Sequence, residues 1–362
     1  PKFFLFFFAA AAALYFLFIF LLRRRGWLDL LIAALSVFVL IGWIAFSVKT
    51  DYADEARLIA WIGAAYLCHY LFYFDDRVMQ ETIDYIKISL RRMFYSVEEA
   101  QYLARLILER ICGLTPAQQI MCKDKQISET EKEAIREVVE RLCCAEPIQY
   151  IFGDCEFHGL RFEVNPSVLI PRPETSELVE LIVRHHTETG LKVLDIGTGS
   201  GCIAVSLAKM LHKATVTAID ISDDALVVAR RNAEAHQADI RFLQADILSE
   251  SPLDEISQPA FDVIVSNPPY VTMEERFQTE ARVLFHEPWE ALFVPDDDPL
   301  RFYRHIAAHG RRWLSEGGRL YFEINTAYGK QLVSLLQETG YRDIEIVRDI
   351  SGKERFIQCS KN

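Results

Sequence analysis

Residues 192–196, Lys-Val-Leu-Asp-Ile, form a short apolar run that ends in three alternating glycines, Gly197-Thr198-Gly199-Ser200-Gly201, and passes into an apolar helical pattern over 202–211. Such a run reads as a strand buried on both faces, which belongs in a parallel sheet covered by helices. Similar runs recur at 215–219, 240–243, 261–265 and 319–324, with helical patterns over 301–314 and 327–339. Two late strands, 344–347 and 355–359, close the pattern as a hairpin. The expected fold is α/β: a Rossmann-like, mostly parallel seven-stranded sheet.

Ligands of open α/β sheets sit beyond the carboxyl ends of the strands. The glycines of 197–201 let the backbone approach a ligand closely. Their spacing is G-x-G-x-G, with Cys202 where a dinucleotide fingerprint needs glycine, and the turn lacks the Lys-Ser/Thr of a P-loop. Asp195, two residues ahead of the first glycine, suits a cationic amino group. Asp220, at the end of the second strand, can take both hydroxyls of a ribose. Asp246 can accept from an adenine amine, and Ile247 can cover the ring. Each acid singly could be an ordinary loop residue. Asp195, the glycines, Asp220 and Asp246 at successive strand ends are far more specific together.

The run 261–265 leads into Ser266-Asn267-Pro268-Pro269-Tyr270. Pro268 fixes its own φ and pushes Asn267 toward an extended conformation, and two prolines remove two backbone donors. Acceptors remain: the Asn267 side-chain oxygen and the Pro268 carbonyl. Two rigid acceptors beside the Tyr270 ring suit a planar NH2 group. The competing reading is a strand-ending turn stiffened by proline. The long insertion 271–299 carries His286-Glu287-Pro288-Trp289. His286 could be a base, but no Ser, Cys or metal-ligand cluster accompanies it, and a structural role is expected.

Residues 1–78 hold seven Lys/Arg and six Asp/Glu, and the remainder 32 and 45. A soluble part near −13 argues against a broad nucleic-acid-binding surface, though not against a small basic cleft. Eight cysteines show neither a C-x-x-C pair nor zinc spacing, so no metal is expected and the thiols read as reduced and mostly buried. Residues 3–22 carry no charge, and 30–48 and 58–74 are also apolar. These lengths suit up to three bilayer spans, with Arg23-Arg24-Arg25 on the cytoplasmic side. The catalytic part would then be cytoplasmic and membrane-anchored. In the alternative reading residues 1–78 are a non-native fusion, because the chain starts with Pro and its first Met is Met79.

A helical domain is expected over 79–146. Ile83, Ile86, Leu90 and Met93 share one helical face. Ser96 with Glu99 makes a capping box, Gly113 a stop, and Thr115-Pro116 a new start. A further helix turns Ile135, Val138, Val139 and Leu142 inward. The competing reading is a stabilising appendage, and the favoured one is a docking module for a macromolecular substrate. The connector 147–190 carries a hairpin turning at His158-Gly159, then Pro171-Arg172-Pro173, with Pro173 opening a helix.

These motifs resemble a known family. The segment Asp195–Gly201 is similar to the donor loop of class I S-adenosylmethionine-dependent methyltransferases, and Asn267–Tyr270 resembles the branch that methylates amino groups. Gln149-Tyr150-Ile151, Gly153, the run 170–175 and the helical domain resemble the PrmC/HemK enzymes, the peptide chain release factor N5-glutamine methyltransferases. The likeness covers about 79–362. It implies S-adenosylmethionine as cofactor, held by Asp195, Gly197, Thr198, Gly199, Ser200, Gly201, Asp220, Asp246, Ile247 and Asn267. It implies Asn267, Pro268 and Tyr270 as catalytic, with Pro269 beside them at the substrate, and the Gly-Gly-Gln glutamine of release factors as methyl acceptor. The departures are Ser176 where an acid is common, Ile247 where some members have an aromatic, and Asp296-Asp297-Asp298 in place of a glycine-rich turn. An N6-adenine methyltransferase using the same acceptors on a flipped base is the rival. The acidic balance and the absence of an evident basic target-recognition region argue against it.

Overall fold

The computed structural model describes residues 79–93, 95–121, 126–253 and 261–362. The apolar runs expected to span a bilayer lie in 1–78, outside the described residues. Among the described residues no helix is long and apolar enough to cross a membrane.

Residues 79–84 and Leu114–Glu129 fall in one compact unit, and Tyr85–Gly113 with Thr130–Asn362 in another. The smaller unit holds the start of α1 (Met79–Arg91) and α3 (Pro116–Met121). In α3, Pro116 takes the first helical position and Gln119 donates from its side chain to the Leu114 carbonyl.

The larger unit contains α2 (Val97–Cys112) and nearly all of α4 (Glu129–Cys143). The Ser96 side chain caps α2 by accepting from the Glu99 N–H, and Gly113 ends it at φ 64°. Ile135, Val138, Val139 and Leu142 of α4 are buried as their spacing predicts. Met93 is not. The chain leaves helix after Arg91, so Met93 sits in the following turn and is exposed. The short α5 (Ile148–Phe152) then leads to the hairpin of β1 (Asp154–Phe157) and β2 (Leu160–Glu163). His158 and Gly159 turn it at φ 50° and 73°, both positive as a tight hairpin turn requires.

The main sheet has seven strands: β3 (Lys192–Ile196), β4 (Thr215–Asp220), β5 (Ile240–Gln244), β6 (Phe261–Ser266), β9 (Leu314–Glu323), β10 (Arg342–Arg348) and β11 (Glu354–Ser360). Their order across the sheet is β10-β11-β9-β6-β3-β4-β5. The β9-β6-β3-β4-β5 pairings are parallel, and β11 runs antiparallel between β9 and β10. A separate two-stranded pair, β7 (Val271–Thr272) with β8 (Phe293–Val294), frames the insertion, which holds the short α9 (Ala281–His286).

Alternation along the strands divides the core. Val193, Val263 and Val265 face α6 (Pro173–His185) and α7 (Cys202–Met210), packing with Leu178, Ile182 and Val205. Leu194, Ile196 and Ile264 face α10 (Arg301–Trp313) and α11 (Gly329–Glu338), packing with Ile306, Trp313 and Leu332. The helix α8 (Asp223–Ala235), capped by Ser222, crosses between β4 and β5. Of the six described cysteines only Cys202 and Cys359 are buried, fewer than composition led one to expect, and all six are free thiols.

Candidate active site

Every turn that carries the predicted chemistry lies at the carboxyl end of a parallel strand. β3 and β6 are neighbours, with Ile196 opposite Ser266. The buried Ser266 hydroxyl donates to the Ile196 carbonyl at 2.7 Å and pins the two strand ends together. The glycine turn and the Asn267 segment therefore leave the sheet side by side.

On the β3 side, Gly197, Gly199 and Gly201 all have positive φ, at 72°, 54° and 79°. A Cβ built on Gly197 or Gly199 would meet nothing within 4 Å, so these two line an open cradle. Gly201 has a different purpose: a Cβ there would lie 3.1 Å from the Cβ of Ala229 on α8, so glycine permits close helix packing. The turn is held from below. The backbone N–H groups of Gly197 and Thr198 donate to the Ile219 carbonyl at 2.9 and 3.0 Å, and the Thr198 hydroxyl donates to Asp195 Oδ2 at 2.7 Å.

Asp195 is fully buried beneath the turn, and its Oδ1 has no hydrogen-bond partner. Burial pushes its carboxyl up to about 7, with the nearby Asp220 adding to the rise and the Thr198 bond opposing it. The Asp220 carboxylate, at the end of β4, accepts from Gly199 N–H at 2.8 Å and Ser222 N–H at 3.0 Å. Its pKa is raised by burial, against those backbone bonds. Asp246 is exposed and accepts from Leu248 N–H at 2.9 Å. Ile247 is buried and packs in the core beside Leu194 and Ile219. Ser200 is buried, and its carbonyl accepts from Asn232 Nδ2 at 2.9 Å. Asn232 also exchanges hydrogen bonds with the backbone of Glu163, so one amide on α8 ties the hairpin to the glycine turn.

On the β6 side, Asn267 and Tyr270 are partly buried and Pro268 is buried. Asn267 Nδ2 donates to Thr175 Oγ1 at 3.2 Å. Thr175 donates to Glu323 Oε2 at 2.6 Å, and the Tyr270 hydroxyl donates to Glu323 Oε1 at 3.0 Å. Glu323, the last residue of β9, is buried, and desolvation raises its pKa against both hydroxyl bonds. The same desolvation, with the Glu323 charge adding to it, pushes the Tyr270 phenol well above its usual range. Asn325 Nδ2 holds the Tyr270 carbonyl at 3.1 Å. The acceptor corner is thus braced by a threonine from the Pro-Arg-Pro connector and by a carboxylate from the neighbouring strand. In the sequence Thr175 stands only within the 170–175 motif, and nothing marks Glu323 as its partner. The visible signal was an acid ending an otherwise apolar strand.

The Pro-Arg-Pro segment is fastened to the insertion. Glu287 is buried, and accepts from Ile170 N–H at 3.1 Å and from Arg172 Nη2 at 2.6 Å. The neighbouring His286 donates from Nε2 to the Cys144 carbonyl at 3.1 Å, which ties the insertion to the end of α4. Among the described residues no group of three His, Cys, Asp or Glu side chains could hold a metal ion.

Comparisons with known proteins agree with this geometry. The methyltransferase small domain matches residues 175–294, and the PrmC N-terminal domain matches residues 90–153. A release factor glutamine methyltransferase of Bacteroides thetaiotaomicron is 47% identical over 283 residues, covering 78% of this chain and all of that protein. The chain belongs to the release factor glutamine methyltransferase family. Another member, from Flavobacterium psychrophilum, is 42% identical over 270 residues, covering 74% of this chain and 93% of its own length. Among solved structures, a methyltransferase from Pyrococcus furiosus superposes with a TM-score of 0.42 at 16% identity, over 65% of this chain and 100% of that one, a likeness too loose to add to the assignment.

Proposed function

We propose that the corner at Asn267–Tyr270 is the seat of a glutamine carboxamide and the glycine cradle the seat of the methyl donor. The enzyme is an S-adenosylmethionine-dependent methyltransferase acting on the side-chain N5 of the glutamine in the Gly-Gly-Gln motif of peptide chain release factors. When bound, S-adenosylmethionine supplies an electrophilic methyl group on a cationic sulfur. The open faces of Gly197 and Gly199 fit a ligand pressed against the backbone, and Asp220 and Asp246 are the acids for its ribose and adenine. Asp195, buried with Oδ1 unpartnered, is the acid for its cationic amino group, and it also braces the turn through Thr198.

The task of the chain's own residues is to make a poor nucleophile react. An amide nitrogen has its lone pair delocalised into the carbonyl. Asn267 Oδ1 and the Pro268 carbonyl accept its two N–H bonds, fix its plane, and stabilise positive charge as it develops on nitrogen. Tyr270 lies against the amide face. Holding the acceptor beside the donor seat contributes proximity, worth at most about 7–11 kcal/mol. No side chain has to remove a proton first, because the cationic product releases it readily.

The observation that supports this reading is the pairing of Ile196 with Ser266, which brings the glycine turn and the Asn267 segment to neighbouring strand ends. Mass spectrometry of a release factor after incubation with enzyme and S-adenosylmethionine tests it. One added methyl on the Gly-Gly-Gln glutamine is the expected product. Transfer to adenine in DNA or RNA, with an unmodified release factor, would overturn it. Residues 79–146 are read as the docking module for that factor, and residues 1–78, on their sequence alone, as either a membrane anchor or a non-native fusion. Fractionation of the native protein into membranes would support the anchor, and recovery only in the soluble fraction would remove it.

A further inference from the structure

We propose that Glu323 is a positioning residue for the transfer: acting through Thr175, its carboxylate decides which edge of the Asn267 amide faces the substrate. This rests on the function proposed above and deepens it. An asparagine amide has an oxygen edge and an NH2 edge of nearly the same shape, so packing alone discriminates poorly between the two orientations. The proposed chemistry needs the oxygen edge. An NH2 edge turned to the glutamine would set donor against donor.

The chain of hydrogen bonds supplies the missing direction. An ionised carboxylate accepts and cannot donate. Glu323 Oε2 therefore draws the single Thr175 proton, and Oε1 the Tyr270 proton. With its proton committed, Thr175 can only accept from Asn267, and the Asn267 Nδ2 bond to it turns the opposite edge, Oδ1, away from Thr175. The same carboxylate holds the Tyr270 ring. Protonation of Glu323 would break this logic. The acid would then donate to one hydroxyl, Thr175 could donate to Asn267, and the amide would be free to reverse.

The groups around Glu323 come from every neighbouring element. Thr175 and Glu174 stand on α6, Tyr270 follows β6, and Arg355 stands on β11. Tyr303 on α10 donates to the Glu323 main-chain carbonyl at 3.0 Å. Arg355 favours the charged form, and burial and Glu174 oppose it.

The test measures kcat, KM for release factor and S-adenosylmethionine affinity for the wild type and three variants. Thr175→Val removes the hydroxyl at nearly constant volume. It is expected to lower kcat ~10-fold, about the effect of one lost directed hydrogen bond, with both binding constants changed less than about twofold. Thr175→Ser keeps the hydroxyl and restores most of kcat. Wild-type kcat falls toward acid pH as Glu323 takes up a proton. This limb vanishes in Glu323→Gln, which cannot ionise, and shrinks in Thr175→Val, where the link through the hydroxyl is cut and only the Tyr270 bond to the carboxylate remains. Wild-type kcat in Thr175→Val, equal losses in the valine and serine variants, or an acid limb that persists in Glu323→Gln would each overturn the inference. A wild-type enzyme that methylates no release factor would instead overturn the functional reading beneath it.

Discussion

Asp195 makes the stability of the methyltransferase unit depend on pH in a way that one substitution can isolate. Its carboxyl stands at about 7 in the native protein against 3.8 for an ordinary aspartate, chiefly because burial removes water from the charge. Folding therefore favours the protonated form. The resulting stabilisation is fully present below pH 3.8, declines as pH rises, and is gone above about pH 7. A shift of about three units, at 1.36 kcal/mol each, gives a decline of about 4 kcal/mol across that window. Asp220 and Glu323 are also raised, so the wild type alone reports a sum of groups. Asp195→Asn keeps an acceptor for Thr198 and removes only the Asp195 contribution. Its amide places an NH2 where Oδ1 has no partner, a pH-independent cost of about 1–3 kcal/mol. Urea unfolding from pH 4 to 8, followed by far-UV circular dichroism, should show the variant gaining on the wild type by about 4 kcal/mol as pH rises. Parallel pH profiles for the two proteins would refute the reasoning.

Other perturbations separate the two seats from the frame that holds them. Asn267→Ala should lower kcat by on the order of 10²-fold while leaving S-adenosylmethionine affinity intact, because it removes an acceptor aimed at developing charge; near-normal turnover would count against that role. Gly199→Ala should cost about 1 kcal/mol of stability from its positive φ, yet weaken donor binding at least ~10-fold by filling the cradle, as calorimetry can measure. Glu287→Ala should destabilise by about 3 kcal/mol, the low end for a broken buried pair because Arg172 keeps 31% of its side-chain surface exposed. In that variant limited proteolysis should cut first within 165–175 or 271–299, and unchanged protection would show that the pair does not fasten them.

The fold was legible where apolar runs end abruptly in chemistry. The strands near 192, 215, 240 and 261 each finish at glycine, acid or proline, so run and stop were visible together. The apolar pattern starts β9 at 319, but the strand begins at Leu314, straight after α10. Its first residues contain Glu316, Gly317 and Gly318, which carry no strand pattern, and the pairing with β6 shifts register there. The site was legible as separate motifs but not as a connected structure. Thr175 and Glu323 lie 148 residues apart, and only the packing of α6 against β9 brings them into contact. The Arg172–Glu287 pair spans 115 residues in the same way. Ile247, expected over an adenine ring, also packs in the core beside Leu194 and Ile219, a contact that an apolar residue after an exposed acid does not announce.

The Ser266–Ile196 bond has a consequence for how specificity can change. It sits on a sheet pairing whose spacing is a property of backbone geometry, about 4.8 Å between strands. On the function proposed above, the separation of the two reactants is inherited from the sheet, whereas the outer parts, the helical module and the insertion, would choose the macromolecule. Exchanging those outer parts for those of a relative should redirect the enzyme to another protein without retuning the reach of the methyl group.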